Sequence, residues 1–128
     1  MKQELEEQLV KDFPQIFQDW HGNPMQTCMA WGLEVGDGWE PLIRKLCEDI
    51  MASVPGEGFR ATQVKEKFGT LRCYVSGGTN EIYRLIHKAE KESGKICENC
   101  GNKDNVTTKG PGWIKTLCNE CRNRRSNL

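Results

Sequence analysis

The sequence predicts an α+β protein, a small helix/β-hairpin/helix domain followed by a treble-clef or ribbon-like four-cysteine zinc finger. Three observations point there. Three segments space apolar residues at the helical period. Two segments alternate apolar and polar residues on either side of Phe68-Gly69, as hairpin strands do. Two Cys-x2-Cys pairs, Cys97/Cys100 and Cys118/Cys121, lie in the last third. The boundary falls near residue 95, so residues 1–95 form the α+β domain and 96–128 the finger.

Each element has its own signal. Leu5, Leu9 and Val10 give a partial stripe over Gln3–Asp12, and Pro14 stops that helix. Phe13, Ile16, Phe17 and Trp20 follow as an apolar cluster, and His21-Gly22-Asn23-Pro24 reads as a loop. Met25 to Gly38 reads as irregular. Leu42, Ile43, Leu46, Cys47 and Ile50 share one face of a helix from about Trp39 to Met51. Asp37 is its expected N-cap, with Glu40 completing a capping box and Pro41 in the first turn.

The hairpin covers Phe59–Lys67 and Thr70–Ser76. Alternation puts Leu71, Cys73 and Val75 on one face. Lys65, Lys67, Arg72 and Tyr74 are expected on the other. A third helix runs from about Asn80 to Ser93 on Ile82, Leu85, Ile86 and Ala89, with Gly94 suited to a left-handed cap. In the Gly36-Asp37-Gly38-Trp39 loop, Trp31 and Trp39 are expected to plug the core; the alternative is a binding loop anchored on them.

The 128 residues carry 37% hydrophobic and 28% charged residues, an ordinary balance for a folded chain of one domain plus an appendix. No run approaches the roughly 18–20 apolar residues of a membrane span. The acidic start, Met1 to Glu7, is unlike a secretory signal, so the expectation is a cytoplasmic protein. Net charge is zero but uneven. Residues 1–58 hold 4 Lys/Arg against 11 Asp/Glu, a net −7, and residues 59–128 carry the compensating +7. Such asymmetry marks either a surface for an anionic partner or two halves that neutralise each other. Glu4, Glu6 and Glu7 read as the least committed acids.

Seven cysteines, an odd number, do not make a closed disulfide framework. In a cytoplasmic chain, paired Cys-x2-Cys motifs hold metal. Cys97, Cys100, Cys118 and Cys121 are the expected ligands of one structural zinc, because a tetrahedron of soft thiolates suits that ion. Four protein ligands leave no open position for a catalytic water. Val106, Trp113, Ile114 and Leu117 are the finger's few core candidates, so metal must supply much of its folding free energy. Cys28, Cys47 and Cys73 read as buried small hydrophobes.

The finger resembles treble clefs. Cys97-Glu98-Asn99-Cys100-Gly101 and Leu117-Cys118-Asn119-Glu120-Cys121 are similar in spacing to GATA-type DNA-binding fingers and to the fingers of TraR-type proteins, which bind RNA polymerase. The resemblance implies a helix opening at the second cysteine pair. GATA-type fingers also use a long basic tail beyond that helix, where here Arg122 to Leu128 follow the last cysteine. The whole chain resembles a family of small phage and prophage proteins. The matching stretches are Thr27-Cys28-Met29-Ala30-Trp31-Gly32, Gly36-Asp37-Gly38-Trp39, Gln63-Val64-Lys65-Glu66-Lys67-Phe68-Gly69-Thr70-Leu71-Arg72 and the cysteine quartet. It implies a phage origin and a place in the host cytoplasm.

The expected function is a non-catalytic regulatory or inhibitory module that docks on a host protein or protein–nucleic acid complex, such as RNA polymerase or a defence system. The alternative is a nucleic-acid-binding finger, with Lys65, Lys67, Arg72, Lys115, Arg122, Arg124 and Arg125 on phosphates and Tyr74 or Trp113 stacked on bases. These nine residues are the partner-binding candidates under either reading. An enzyme is not expected. His21 and His87 lie outside the cysteine motif, and no paired-carboxylate, Ser-His-Asp or phosphate-loop motif occurs.

Overall fold

The computed structural model describes residues 1–110 and 112–126. It is a mixed fold in which helices cover a small sheet and a four-cysteine module packs against one end. Helix α1 spans Gln3–Asp12, and a long connection leads to strand β1, Leu33–Glu34. Helix α2 (Glu40–Ala52), the hairpin β2 (Arg60–Lys67) and β3 (Thr70–Ser76), and helix α3 (Asn80–Ser93) follow. The finger contains β4 (Val106–Lys109), β5 (Lys115–Cys118) and α4 (Asn119–Ser126). Among the described residues no helix is long and apolar enough to cross a membrane.

The stripes read from sequence form the core. Leu42, Ile43, Leu46, Cys47 and Ile50 of α2 are buried, as are Ile82, Ile86 and Ala89 of α3. They meet Leu9, Phe17, Met29, Phe59, Val64 and Leu71 in one cluster. The sheet order is β1-β2-β3, with β1 parallel and β3 antiparallel to β2. Lys65 pairs with Arg72 and Gln63 with Tyr74, so the basic residues of the hairpin share its outer face with Glu34, the register partner of Lys65. The outer edge of β3 is not open. Ser93 Oγ accepts the Leu71 amide at 2.9 Å, and the Glu90 carboxylate accepts the Cys73 amide at 3.2 Å. Helix α3 thus covers an edge that would otherwise recruit another strand.

Several local expectations are overturned. The segment from Met25 to Gly38 is not wholly irregular: it holds two 3-10 turns, Cys28–Trp31 and Asp37–Trp39, and β1, whose two residues are too few for alternation to register. Because the chain winds as a 3-10 turn from Asp37, α2 starts at Glu40 and the capping box does not form. Asp37 Oδ1 instead accepts the Lys2 amide at 2.7 Å, at the start of α1, and Glu40 pairs with Arg44 at 2.9 Å.

Gly94 ends α3 with φ −68°, an ordinary right-handed value, so it is not the left-handed cap its type suggested. Trp39 is fully buried, but Trp31 is 68% exposed: in the first 3-10 turn Met29 takes the inward place, which leaves Cys28 exposed too. Cys47 is buried and Cys73 half-buried. Burial raises both thiols above their ordinary value, Cys73 to about 12. Glu6 is committed rather than free. Its buried carboxylate accepts the Leu33 amide at 3.0 Å and the Trp20 indole N–H at 3.3 Å.

Candidate metal centre

Cys97 and Cys100 flank a tight turn in which the Gly101 amide returns to the Cys97 carbonyl at 2.9 Å and the Cys97 amide reaches the Asn102 carbonyl at 2.8 Å. Gly101 has φ +82°, a conformation that disfavours any side chain. The second pair arrives from β5, which ends at Cys118, and from the first turn of α4, which carries Cys121. Register holds the two halves together, since Val106 pairs with Cys118 in the β4–β5 ladder. Knuckle, hairpin and helix therefore follow in that order, with the helix opening at the second cysteine pair.

The four Sγ atoms lie within 4.8 Å of one another. Cys100 and Cys118 Sγ are 3.7 Å apart. Metal–sulfur bonds of about 2.3 Å at tetrahedral angles put sulfurs about 3.8 Å apart, so the set fits a single ion of zinc's size. Three N–H groups face the sulfurs. Asn99 Nδ2 lies 3.3 Å from Cys121 Sγ, the Cys121 amide 3.4 Å from Cys118 Sγ, and an Arg124 guanidinium nitrogen 3.9 Å from Cys121 Sγ. Such donors stabilise thiolate charge.

The thiols titrate as one cluster. Cys118 is lowered to about 7, first by the Cys121 backbone amide. Cys100 is raised to about 12: the Asn102 backbone pulls it down, but burial and the other three thiols outweigh that pull. The first proton leaves readily and the last is held, because neighbouring thiolates repel one another. These four cysteines form a metal-binding site of zinc-finger type.

The module is seated on the rest of the chain by the two glycine motifs. The Gly38 amide donates to the Glu98 carbonyl at 2.7 Å, and the Gly36 amide to Glu98 Oε2 at 2.9 Å. The Trp39 indole donates to the Ile96 carbonyl at 2.9 Å. On the far side, Gly69 of the β2–β3 turn (φ +88°) lies against Thr108, Ile114 and Thr116, and the buried Thr116 hydroxyl donates to the Gly69 carbonyl. Neither motif is a free loop. Each is shaped to let the finger's backbone come close.

The candidate partner residues are placed unevenly. Lys65, Arg72 and Tyr74 lie in cross-strand register positions on one face, and Lys67 sits 5.6 Å over the Phe68 ring. Lys115 is turned inward, 3.1 Å from Glu66 and 3.7 Å from Glu98. Arg122 donates to the carbonyls of Lys109, Thr107 and Lys115, bracing the finger hairpin. Arg124 pairs with Glu120 at 3.3 Å. The side chain of Arg125 lies outside the described residues.

Of the finger's expected core, Leu117 is buried and Val106 partly so, whereas Ile114 is 39% and Trp113 78% exposed. A finger this small buries three of its four cysteines and little else, with Cys100 exposed, which pushes the rest of its apolar residues outward. Phe68, at the tip of the β2–β3 turn, is 67% exposed. It forms with Trp113 and Ile114 an apolar rim over a groove of about 610 Å³ that also reaches Glu34, Glu66 and Glu98. Phe68 was missed as a candidate, although its place in a tight turn beside glycine is a signal that its ring cannot reach the core. Compared with protein-family models, curated proteins and solved structures, the chain matches none of them.

Proposed function

We propose that this chain is a zinc-clamped, non-catalytic module of phage type that docks on a host protein, or on a protein–nucleic acid complex such as RNA polymerase or a defence system. The observation that carries the reading is the exposed apolar rim of Phe68, Ile114 and Trp113, with both aromatics more than half exposed. Aromatic side chains at the mouth of a groove are the anchors that protein interfaces use, because they bury much area at small entropic cost. The rim is composite: Phe68 belongs to the β2–β3 turn, Ile114 and Trp113 to the finger. Zinc is the ion that a closed set of four thiolates favours, and it leaves no position for a catalytic water. Its role here is to hold the two parts of the rim in register. Against phosphate contact stand Lys115, Arg122 and Arg124, which already have partners within the chain. The phage assignment rests on the resemblance of the glycine and cysteine motifs.

The test is an affinity capture from host lysate with the tagged, metal-loaded protein, run with and without nuclease. A Phe68→Ala/Trp113→Ala variant serves as control. One protein should survive nuclease and fall at least about tenfold with the variant, as loss of a central anchor predicts. Recovery that disappears with nuclease, or that the variant leaves unchanged, would sink the reading.

A further inference from the structure

The groove under the apolar rim contains a buried acceptor that no described residue fills with a hydrogen bond. Glu98 is 7% exposed, and its Oε2 takes the Gly36 amide. Among the described residues, nothing donates a hydrogen bond to its Oε1. Among the described residues the cation paired with it is Lys115 Nζ at 3.7 Å, and that ammonium lies closer to Glu66, at 3.1 Å. One ammonium thus serves two largely buried carboxylates. A buried carboxylate oxygen without a full partner is costly, so the site is short of one positive charge.

The other cations in reach do not supply it. The Met1 ammonium is held by the Val35 carbonyl at 2.5 Å. Lys65 stands on the outer face of β2, in register with Glu34. The Glu34 side chain is exposed and makes no ion pair or hydrogen bond among the described residues, which leaves a second carboxylate at the groove's rim. Phe68 and Trp113 flank the same groove, and aromatic faces attract cations, guanidinium more often than ammonium. A second hollow on the other side of Glu98 is lined by Lys115 and Arg124 without an aromatic residue, so it lacks these features.

We infer that the groove is a receptor for one arginine side chain of a partner protein, with Glu98 as the acceptor and Phe68 and Trp113 as its walls. The inference rests on the protein-docking reading and names its specificity. Arginine suits better than lysine because its planar fork can reach Glu98 while its face lies against a ring. The lysines near the groove do not reverse the choice. Lys115 is already shared between Glu66 and Glu98, and Lys65 stands half-buried on the outer face in register with Glu34, whereas the unmet group is buried and negative.

The test uses the metal-loaded full chain and three pools of fluorescein-labelled, end-blocked nonapeptides. The pools are identical except for a central arginine, citrulline or glutamate. Binding is read by anisotropy, with zinc content and melting midpoint measured for every variant. The arginine pool should bind at least about tenfold tighter than the citrulline pool, the scale of one charge-assisted contact. That preference should collapse in Glu98→Gln, whose amide oxygen can still accept the Gly36 amide. It should also collapse in Glu66→Gln, which frees Lys115 to fill Glu98 without altering the finger. Trp113→Ala should weaken every pool.

Equal binding of arginine and citrulline pools, still dependent on Trp113, would overturn the receptor and leave the docking reading standing. Absence of any Trp113-dependent binding would overturn both. A preference for the glutamate pool, or an arginine preference that survives Glu98→Gln and Glu66→Gln, would equally overturn it.

Discussion

A Cβ on Gly38 would sit 2.1 Å from the Cys97 carbonyl oxygen and 2.5 Å from the Gly101 amide nitrogen, and both are backbone atoms that cannot swing aside. Gly38→Ala must therefore push the knuckle off its seat, at about 2–3 kcal/mol, the upper range of overpacking. The expected result is a lower thermal midpoint with zinc stoichiometry still at one, because no ligand is touched; an unchanged midpoint would show that the seat is not tight. Glu6 makes a different kind of demand. Its carboxylate takes the Leu33 amide and the Trp20 indole, so Glu6→Ala strands two donors and should cost about 2–3 kcal/mol in denaturant melts. Glu6→Gln keeps one acceptor oxygen and should cost less. No sequence pattern identified Glu6 as structural. It sits between half-buried Leu5 and exposed Glu7 on an acidic helix start, and its partners are 14 and 27 residues away.

At the scale of elements, the stripes on α2 and α3 and the hairpin were legible because burial repeats with the period of each element. The cysteine quartet was legible for a chemical reason, since few other arrangements use two Cys-x2-Cys pairs. Caps were not legible: Asp37 has the right residue type, but its carboxylate is drawn to the Lys2 amide and cannot serve α2. The finger itself predicts a pH dependence. Zinc needs thiolates, so protons compete with it and affinity falls as pH falls. In the metal-free cluster Cys118 is lowered to about 7 and Cys100 raised to about 12. Above about 7 Cys118 is already deprotonated; below it, one more proton must leave for each zinc bound. The fall should accordingly steepen below about pH 7, measured by chelator competition between about pH 6 and 9. A pH-independent affinity would rule out thiolate ligation.

At the scale of the whole molecule, the finger and the helical domain meet through the two glycine motifs, and among the described residues the four candidate metal ligands all lie in the finger. Cys118→Ser, or chelation, should lose zinc and deprotect the amides of β4, β5 and α4 to hydrogen exchange. The amides of α2, β2 and β3 should stay protected, since their cluster of Leu46, Ile50, Phe59, Val64 and Leu71 contains no metal ligand. Full zinc occupancy in Cys118→Ser would refute the ligand assignment. Loss of protection throughout would mean that the seat at Gly36 and Gly38 supports the larger core as well. The sequence by itself determined the α+β class, the main helices and hairpin, and the four ligands, because periodic burial and metal chemistry act through short, regular spacings. Only the tertiary structure decided that Gly36-Asp37-Gly38-Trp39 and the Phe68-Gly69 turn are seats for the finger. It alone placed Trp113 outside, turned Lys115 inward, and left Glu98 buried with an unmet oxygen. Those outcomes depend on which backbones approach closely and which charges share a partner across 30 or more residues, and neither leaves a period in the chain.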